Sequence, residues 1–133
     1  MTLSVKIIAP DRIVWETEAE EAILPSSTGQ VGILTGHAPL LTALDIGVMR
    51  VRTNGKWIPL ALMGGFVEVE NDKLIVLINA AEQGSSIDIS KAEAELDSAM
   101  ALSTQATSPK ELLESKKNLK KARARLQAAT LAK

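Results

Sequence analysis

Residues 46–63 read IGVMRVRTNGKWIPLALM, and this stretch decides the fold. Two apolar-rich runs, Ile46 to Thr53 and Lys56 to Met63, flank Asn54-Gly55. An Asn-Gly pair accepts the positive φ angles of a type I′ turn, whose twist matches two antiparallel strands. The stretch therefore predicts a β-hairpin. Downstream, Phe66 to Glu70 and Lys73 to Asn79 flank Asn71-Asp72 and predict a second one. Upstream, Ala19 to Leu24 predicts a strand stopped by Pro25-Ser26-Ser27-Thr28-Gly29, and Ile13 to Glu16 predicts another after a turn at Pro10-Asp11-Arg12. Leu3, Val5 and Ile7 alternate with Ser4 and Lys6, the period of a half-buried strand. Pro59 predicts a strand edge or a bulge, because proline cannot donate to a ladder. Ile75-Val76-Leu77-Ile78 predicts a strand buried on both faces. Many short strands with regular turn signals point to an antiparallel sandwich or a flattened barrel.

After Gly84 the period changes from two to three and four. Ser90 with Glu93 is a capping-box signature, and Ile89, Ala92, Leu96, Ala99 and Ser103 form one helical face. Thr104 to Ser108 is a polar break. Ser108-Pro109-Lys110-Glu111 then combines an N-cap serine, proline in the first turn and a second capping box. Leu112, Ser115, Leu119, Ala122, Leu126 and Ala129 carry the stripe of the second helix. The short connection predicts an antiparallel helical hairpin. Its seam is mostly Ala and Ser, so burial contributes only a few kcal/mol at about 25 cal/mol per Å2. Helices of this size are marginal alone in water. The sequence thus describes a firm β module at 1–84 and a weakly held helical hairpin at 85–133.

Composition narrows the function classes. A chain of 133 residues suits one sizeable core plus an appendage. Aromatics are only 2%, so Ile, Leu, Val and Ala must fill that core. The absence of cysteine excludes disulfides and thiolate metal sites. The start MTLSVKIIAP lacks the pattern of a signal peptide, and no run of about 18 apolar residues predicts a membrane span. Residues 1–83 carry six basic and ten acidic side chains, net −4, while residues 84–133 carry nine basic and six acidic, net +3. Such a split suggests two parts with different partners.

Catalytic constellations are missing from the sequence. It has one histidine, His37, and neither a nucleophile-elbow motif nor a phosphate-binding loop. No catalytic residue, metal site or cofactor is therefore expected. Gly29-Gln30-Val31-Gly32 and Gly64-Gly65 read as tight turns between strands. Glu20-Glu21 and Glu68 with Glu70 read as solvent-facing acidic pairs. The second helix carries Lys116, Lys117, Lys120, Lys121, Arg123 and Arg125. A basic helix can bind nucleic acid, anionic lipid or an acidic protein surface. No aromatic residue interleaves these cations and no Trp or Phe lies opposite them, so base stacking and membrane insertion are disfavoured. An acidic protein partner fits best. A nucleic-acid or membrane-surface module is the alternative, and a small enzyme built on His37 lacks partner groups.

Several segments resemble the epsilon subunit of F-type ATP synthases, across nearly the whole chain. They are Ile8-Ala9-Pro10-Asp11-Arg12, Gly29-Gln30-Val31-Gly32-Ile33-Leu34 followed by Gly36-His37-Ala38-Pro39-Leu40-Leu41, Ala61-Leu62-Met63-Gly64-Gly65-Phe66, and Ile87-Asp88-Ile89-Ser90-Lys91-Ala92. Gly47 to Arg52, the Ala61 to Phe66 run and Ala122-Arg123-Ala124-Arg125-Leu126 look closest to cyanobacterial and chloroplast forms. The resemblance implies a mainly β fold, a sandwich of about ten strands followed by a two-helix hairpin.

It also implies a non-catalytic rotor and regulatory subunit. The partners would be the gamma subunit, the ring of c subunits and the beta and alpha subunits of the catalytic head. The location would be peripheral, on the cytoplasmic or stromal face of the thylakoid membrane. The family's ring and gamma contacts map to Ser26, Ser27, Thr28, Gly29, Gln30, Val31, Gly32 and His37. Gln30 stands where an acidic residue is common. The six basic residues map to the inhibitory helix. A nucleotide site found in some bacterial members maps to Glu82, Asp88, Lys91 and Arg125. Lys91 replaces an arginine of that motif, and Ser98 and Lys121 stand where other arginines help. Lysine lacks the planar fork that grips phosphate through two bonds, so weak or absent ATP binding is expected.

Overall fold

The computed structural model describes residues 2–132. Eight strands come first: β1 (Leu3–Ala9), β2 (Arg12–Ala19), β3 (Glu21–Ser26), β4 (Gly29–Leu34), β5 (Leu40–Thr53), β6 (Lys56–Glu70), β7 (Lys73–Ile78) and β8 (Ala81–Gln83). A 3-10 turn at Gly84–Ser86 leads into α1 (Ile89–Gln105) and α2 (Pro109–Leu131). Both predicted hairpins close as their turns require. Asn54 and Gly55 have φ of 52° and 76°, and Asn71 and Asp72 have 52° and 60°.

The strands pair in the order β2-β1-β7-β6-β5-β3-β4, with β8 also on β6. The two long strands explain why eight strands make a sandwich of the expected kind. The first part of β5 and the last part of β6 pair with each other, and β7 extends that layer. The remaining parts pair with β3 and β8. The changeover falls at Asp45 and Gly64, which are missing from the ladder between Leu44–Gly65 and Ile46–Met63. Counted as half-strands, β5 and β6 bring the total to the ten expected. Gly64-Gly65 is therefore not a turn between strands but a bend inside β6, with φ of 86° and 146°. A side chain at Gly65 would overlap the Leu77 carbonyl.

One core fills the space between the layers. Leu3, Val5, Ile7, Val67, Leu74 and Val76 from one layer meet Ala22, Leu24, Ile33, Met49, Leu60 and Leu62 from the other. Aliphatic residues do fill it, with Trp15 only packed against its margin. Several sequence expectations need correction. The β1–β7 pair is parallel, because a long excursion through the other layer, not a hairpin, joins those strands. β2 runs on to Ala19 and β3 begins at Glu21, so the predicted Ala19 to Leu24 strand spans their junction. Ile75-Val76-Leu77-Ile78 is buried on one face only: Leu77 is half exposed. Pro59 is tolerated because β8 begins pairing beside it only at Leu60, which leaves a locally open edge.

The helical hairpin lies on the outer face of the layer that holds β8. Ala124, Ala128 and Ala129 of α2 join Val48 and Ala61 of the sheet, Ile87 and Ala92 in a second, smaller cluster. α2 is thus sandwiched between the sheet and α1, while α1 rests mainly on α2. The sequence stripe found the face toward α1, where Ser115, Ala122 and Ala129 are buried, but missed Ala124 and Ala128 on the face toward the sheet. Ser108 caps α2 as predicted, accepting from the Glu111 N–H at 3.1 Å. For α1 the cap is Asp88, not Ser90: its carboxylate accepts from the Lys91 N–H at 3.1 Å, and the helix begins two residues earlier than the capping box implied. Its end at Gln105 also overruns the start of the polar break.

Candidate functional site

The expected rotor-contact residues occupy two places. Ser27 and Thr28 form the tip of the β3–β4 hairpin. Ser26 is buried beneath it and accepts from the Thr28 N–H at 3.3 Å, which fixes the turn. Gly29, Gln30 and Gly32 are exposed along β4, an edge strand, and Val31 packs inward. His37 follows the other end of β4, about 17 Å away by strand rise. Its Nδ1–H donates to the Ala38 carbonyl at 2.7 Å. Asp72, from the β6–β7 turn, accepts from the Gly36 N–H at 2.7 Å and pins the loop. The residues that sequence grouped as one contact are therefore separate patches.

Beside the hairpin tip begins a surface that sequence reading missed. Ala43, Phe66, Leu77, Ile8 and Ile13 are consecutive cross-strand partners over β5, β6, β7, β1 and β2. Phe66, Leu77 and Ile13 are 56%, 50% and 53% exposed, and Leu41 nearby is 72% exposed. A contiguous apolar row of this kind marks an interaction face, whereas scattered exposed apolar residues do not. The Ser27 N–H donates to the Ala43 carbonyl at 3.2 Å, so the β3–β4 tip borders the row. Alternation in each strand was the only sequence signal; the row itself needs the register.

The basic helix divides into two stripes. Lys116, Lys120 and Arg123 follow i, i+4, i+7 spacing on the exposed side, and Lys120 approaches Asp45 at 3.6 Å. Lys117, Lys121 and Arg125 follow i, i+4, i+8 spacing toward the joint with α1 and the sheet. There Arg125 is engaged on two sides: its Nε donates to Glu82 Oε2 of β8 at 2.7 Å, and its Nη1 donates to Glu95 Oε2 of α1. Glu82 first, and then Glu95, raise the Arg125 pKa above the usual arginine value. Among the described residues Lys116, Lys117, Lys121 and Arg123 make no ion pair.

The expected nucleotide residues also separate. Glu82, Lys121 and Arg125 line a groove of about 250 Å3 with Met63, Ala80 and Ala81. Neither Asp88 nor Lys91 reaches it. Asp88 is committed to the cap of α1, and Lys91 is exposed. Ser98 and Lys121 line an adjoining groove of about 400 Å3 between the helices. The arginine that would grip phosphate already holds two carboxylates.

The other acidic pairs divide as well. Glu68 and Glu70 are exposed as expected. Glu20 and Glu21 instead have structural partners. Glu20 accepts from the Gly55 and Asn54 N–H groups at 2.9 and 3.2 Å, and Glu21 meets Arg52 at 3.2 Å.

Residues 2–84 match the family described as "ATP synthase, Delta/Epsilon chain, beta-sandwich domain", and residues 85–130 match "ATP synthase, Delta/Epsilon chain, long alpha-helix domain". The chain belongs to the ATP synthase delta/epsilon chain family. It is 62% identical over 132 residues to the chloroplastic ATP synthase epsilon chain of Porphyra purpurea, covering 99% of this chain and 98% of that one. It is 55% identical over 132 residues to the ATP synthase epsilon chain of Cyanothece sp. (strain PCC 7425 / ATCC 29141), covering 97% and 96%. The resemblance to chloroplast and cyanobacterial forms is thus borne out. A chain in the Euglena gracilis mitochondrial ATP synthase structure (OSCP/F1/c-ring, rotational state 1) superposes with a TM-score of 0.84 at 21% identity, over 97% of this chain and 81% of that one, which supports the fold. Among the described residues no helix of this family member is long and apolar enough to cross a membrane.

Proposed function

We infer that the chain serves as the epsilon subunit of a rotary proton-translocating ATP synthase, a non-catalytic part of the central stalk. Full-length likeness of both parts, in one chain order, to ATP synthase epsilon chains carries this reading. The complex is the enzyme and is membrane-associated. This chain lies peripherally on the cytoplasmic or stromal face of a thylakoid membrane. Residues 1–84 act as the rotor-binding domain and residues 85–133 as the regulatory one.

The sandwich offers two contacts to the rotor. The apolar row from Ala43 to Ile13 suits the gamma subunit, and the Ser26 to Gly32 hairpin tip suits the c ring. Gln30 can hydrogen-bond there but cannot form an ion pair, so that contact depends little on salt. A cysteine placed at Gln30 cross-links to a c subunit in the assembled complex; cross-linking only to the catalytic head refutes the placement.

The helical hairpin is the inhibitor of ATP hydrolysis. Its outward stripe of Lys116, Lys120 and Arg123, with exposed Lys117 beside it, is available to an acidic segment of the head, while Lys121 and Arg125 become available as the hairpin lifts. ATP binding by the subunit is weak or absent, because Glu82 and Glu95 occupy Arg125 and Asp88 serves the helix cap. Saturable micromolar binding in calorimetric titration with ATP and magnesium refutes that point. Truncation after Gly84 tests the function. The complex should still assemble and couple, and its ATP hydrolysis should rise. Unchanged hydrolysis excludes the inhibitory role.

A further inference from the structure

Among the described residues, two ion pairs of α2 tie the hairpin to the sandwich, Lys120 with Asp45 and Arg125 with Glu82, and only the second also holds α1. Arg125 is the only described residue whose ion pairs reach both the sandwich edge, at Glu82, and the other helix, at Glu95. It lies on α2 between the stripe facing α1 and the alanines facing the sheet. The apolar cluster there is small: Ala92, Ala124, Ala128 and Ala129 of the helices meet Val48, Ala61 and Ile87, with Ile46, Met63, Ile89 and Leu126 partly buried at its margin. A cluster of this size, with mostly alanine on the helix side, adds far less than the sandwich core, so a few polar contacts weigh more there. The second observation is steric. A Cβ on Gly84 would overlap the Ala128 carbonyl and come within 3.1 Å of Ala132 Cβ. The backbone of α2 therefore touches the end of β8 directly, beside Glu82, and only glycine permits that approach.

We propose that Glu82, Arg125 and Glu95 form a ligand-free latch that keeps the helical hairpin closed on the sandwich, with Gly84 as the seat on which it closes. The latch ties all three parts of the joint through one guanidinium, so its opening frees α1 and α2 together. It also withdraws Arg125 from any outside partner while the hairpin is docked. An acidic partner surface must compete with Glu82 and Glu95 for the same cation, and the latch thereby couples release of the hairpin to capture of its basic face. Arg125 is suited to this double role because its planar fork can donate in two directions at once. The regulatory meaning rests on the inhibitory reading above; the closure itself does not.

The test uses the full-length chain, which has no cysteine of its own. Spin labels on Asn79→Cys and Lys110→Cys, both exposed positions, report the distance between sandwich and hairpin. The parent should show one dominant docked distance. Glu82→Gln and Glu95→Gln should each raise the ratio of open to docked forms about two- to fivefold, the range for a partly exposed ion pair. Arg125→Gln should raise it by about the product of the two. Added salt should open the parent more than the Arg125→Gln variant, in which only the Lys120–Asp45 pair is left to screen. Gly84→Ala gives the open reference, and tryptophan fluorescence checks that the sandwich stays folded. Unchanged distances in all three latch variants, with the same salt response in parent and Arg125→Gln, overturn the proposal. That result leaves the inhibitory reading intact, because the latter is decided by hydrolysis in the truncated complex.

Discussion

The sandwich and the hairpin bury apolar surface in opposite ways. The sandwich sets Leu3, Ile7, Leu24, Ile33, Met49, Leu60, Leu62 and Leu74 fully out of water between two layers. The hairpin buries mainly Ala92, Ala99, Ala122, Ala124, Ala128 and Ala129, and leaves Leu102 and Leu113 61% and 72% exposed at its far end. A large side chain brings about 1.5–3 kcal/mol on full burial and a methyl group far less. The difference teaches that one chain can hold a firmly packed body and a lightly packed one side by side: residue size at the interface sets the strength of each.

Breaking the sandwich should need the largest change. Leu62→Ala removes a fully buried side chain and should cost about 2–5 kcal/mol, read as a lower denaturation midpoint of the β signal. Ala99→Gly in the helical seam should cost about 1 kcal/mol and lower only helical content. If both substitutions shift a single shared transition equally, the two regions are one cooperative unit and the contrast fails.

The start of α2 offers a sharper probe. Ser108 accepts from the Glu111 N–H, and Glu111 accepts from the Thr107 N–H at 3.2 Å. Ser108→Ala should cost about 1 kcal/mol of helix stability. Circular dichroism should show the loss in the hairpin, while hydrogen exchange in β1 and β7 stays unchanged. Faster exchange in those strands would mean that the hairpin supports the core.

Glu20 gives the smallest effect, and it belongs to the sandwich. The N–H of Gly55 is the main cause that lowers its pKa below the ordinary 4.5, with that of Asn54 adding to it. A lowered folded pKa means that the carboxylate stabilises the hairpin tip above the unfolded value and loses that role as pH falls through the folded one. Titration of the Glu20 carboxyl carbon by NMR should therefore give a midpoint below 4.5. Glu20→Gln should remove this pH dependence at the tip and leave α1 and α2 untouched. A midpoint at or above 4.5 would show that the turn is not held this way.

Much of this was readable along the chain because it is local. The Asn54-Gly55 and Asn71-Asp72 turns, the Ser108-Pro109 start of α2 and the alternation in β1 each depend on a few neighbouring residues. The change of period after Gly84 separates the two parts for the same reason. The Ser90 cap failed because Asp88 offers a competing carboxylate two residues earlier, and geometry chose between them. The solvent-facing reading of Glu20-Glu21 missed their partners, because these come from β5 and the turn after it, Arg52 and Gly55.

The sequence by itself determined the kinds of element, their order, the aliphatic core and the thinness of the helical seam, since these follow from residue type and spacing. Only the tertiary structure decided how distant residues meet. It bent β6 at Gly64-Gly65 so that two long strands serve both layers. It aligned Ala43, Phe66, Leu77, Ile8 and Ile13 into one exposed row from five strands. It gave α2 a second buried face, and turned Arg125 from one cation among six into the link between Glu82 and Glu95. Strand register and helix docking are properties of the assembled core, and no local propensity encodes which side chains they bring together.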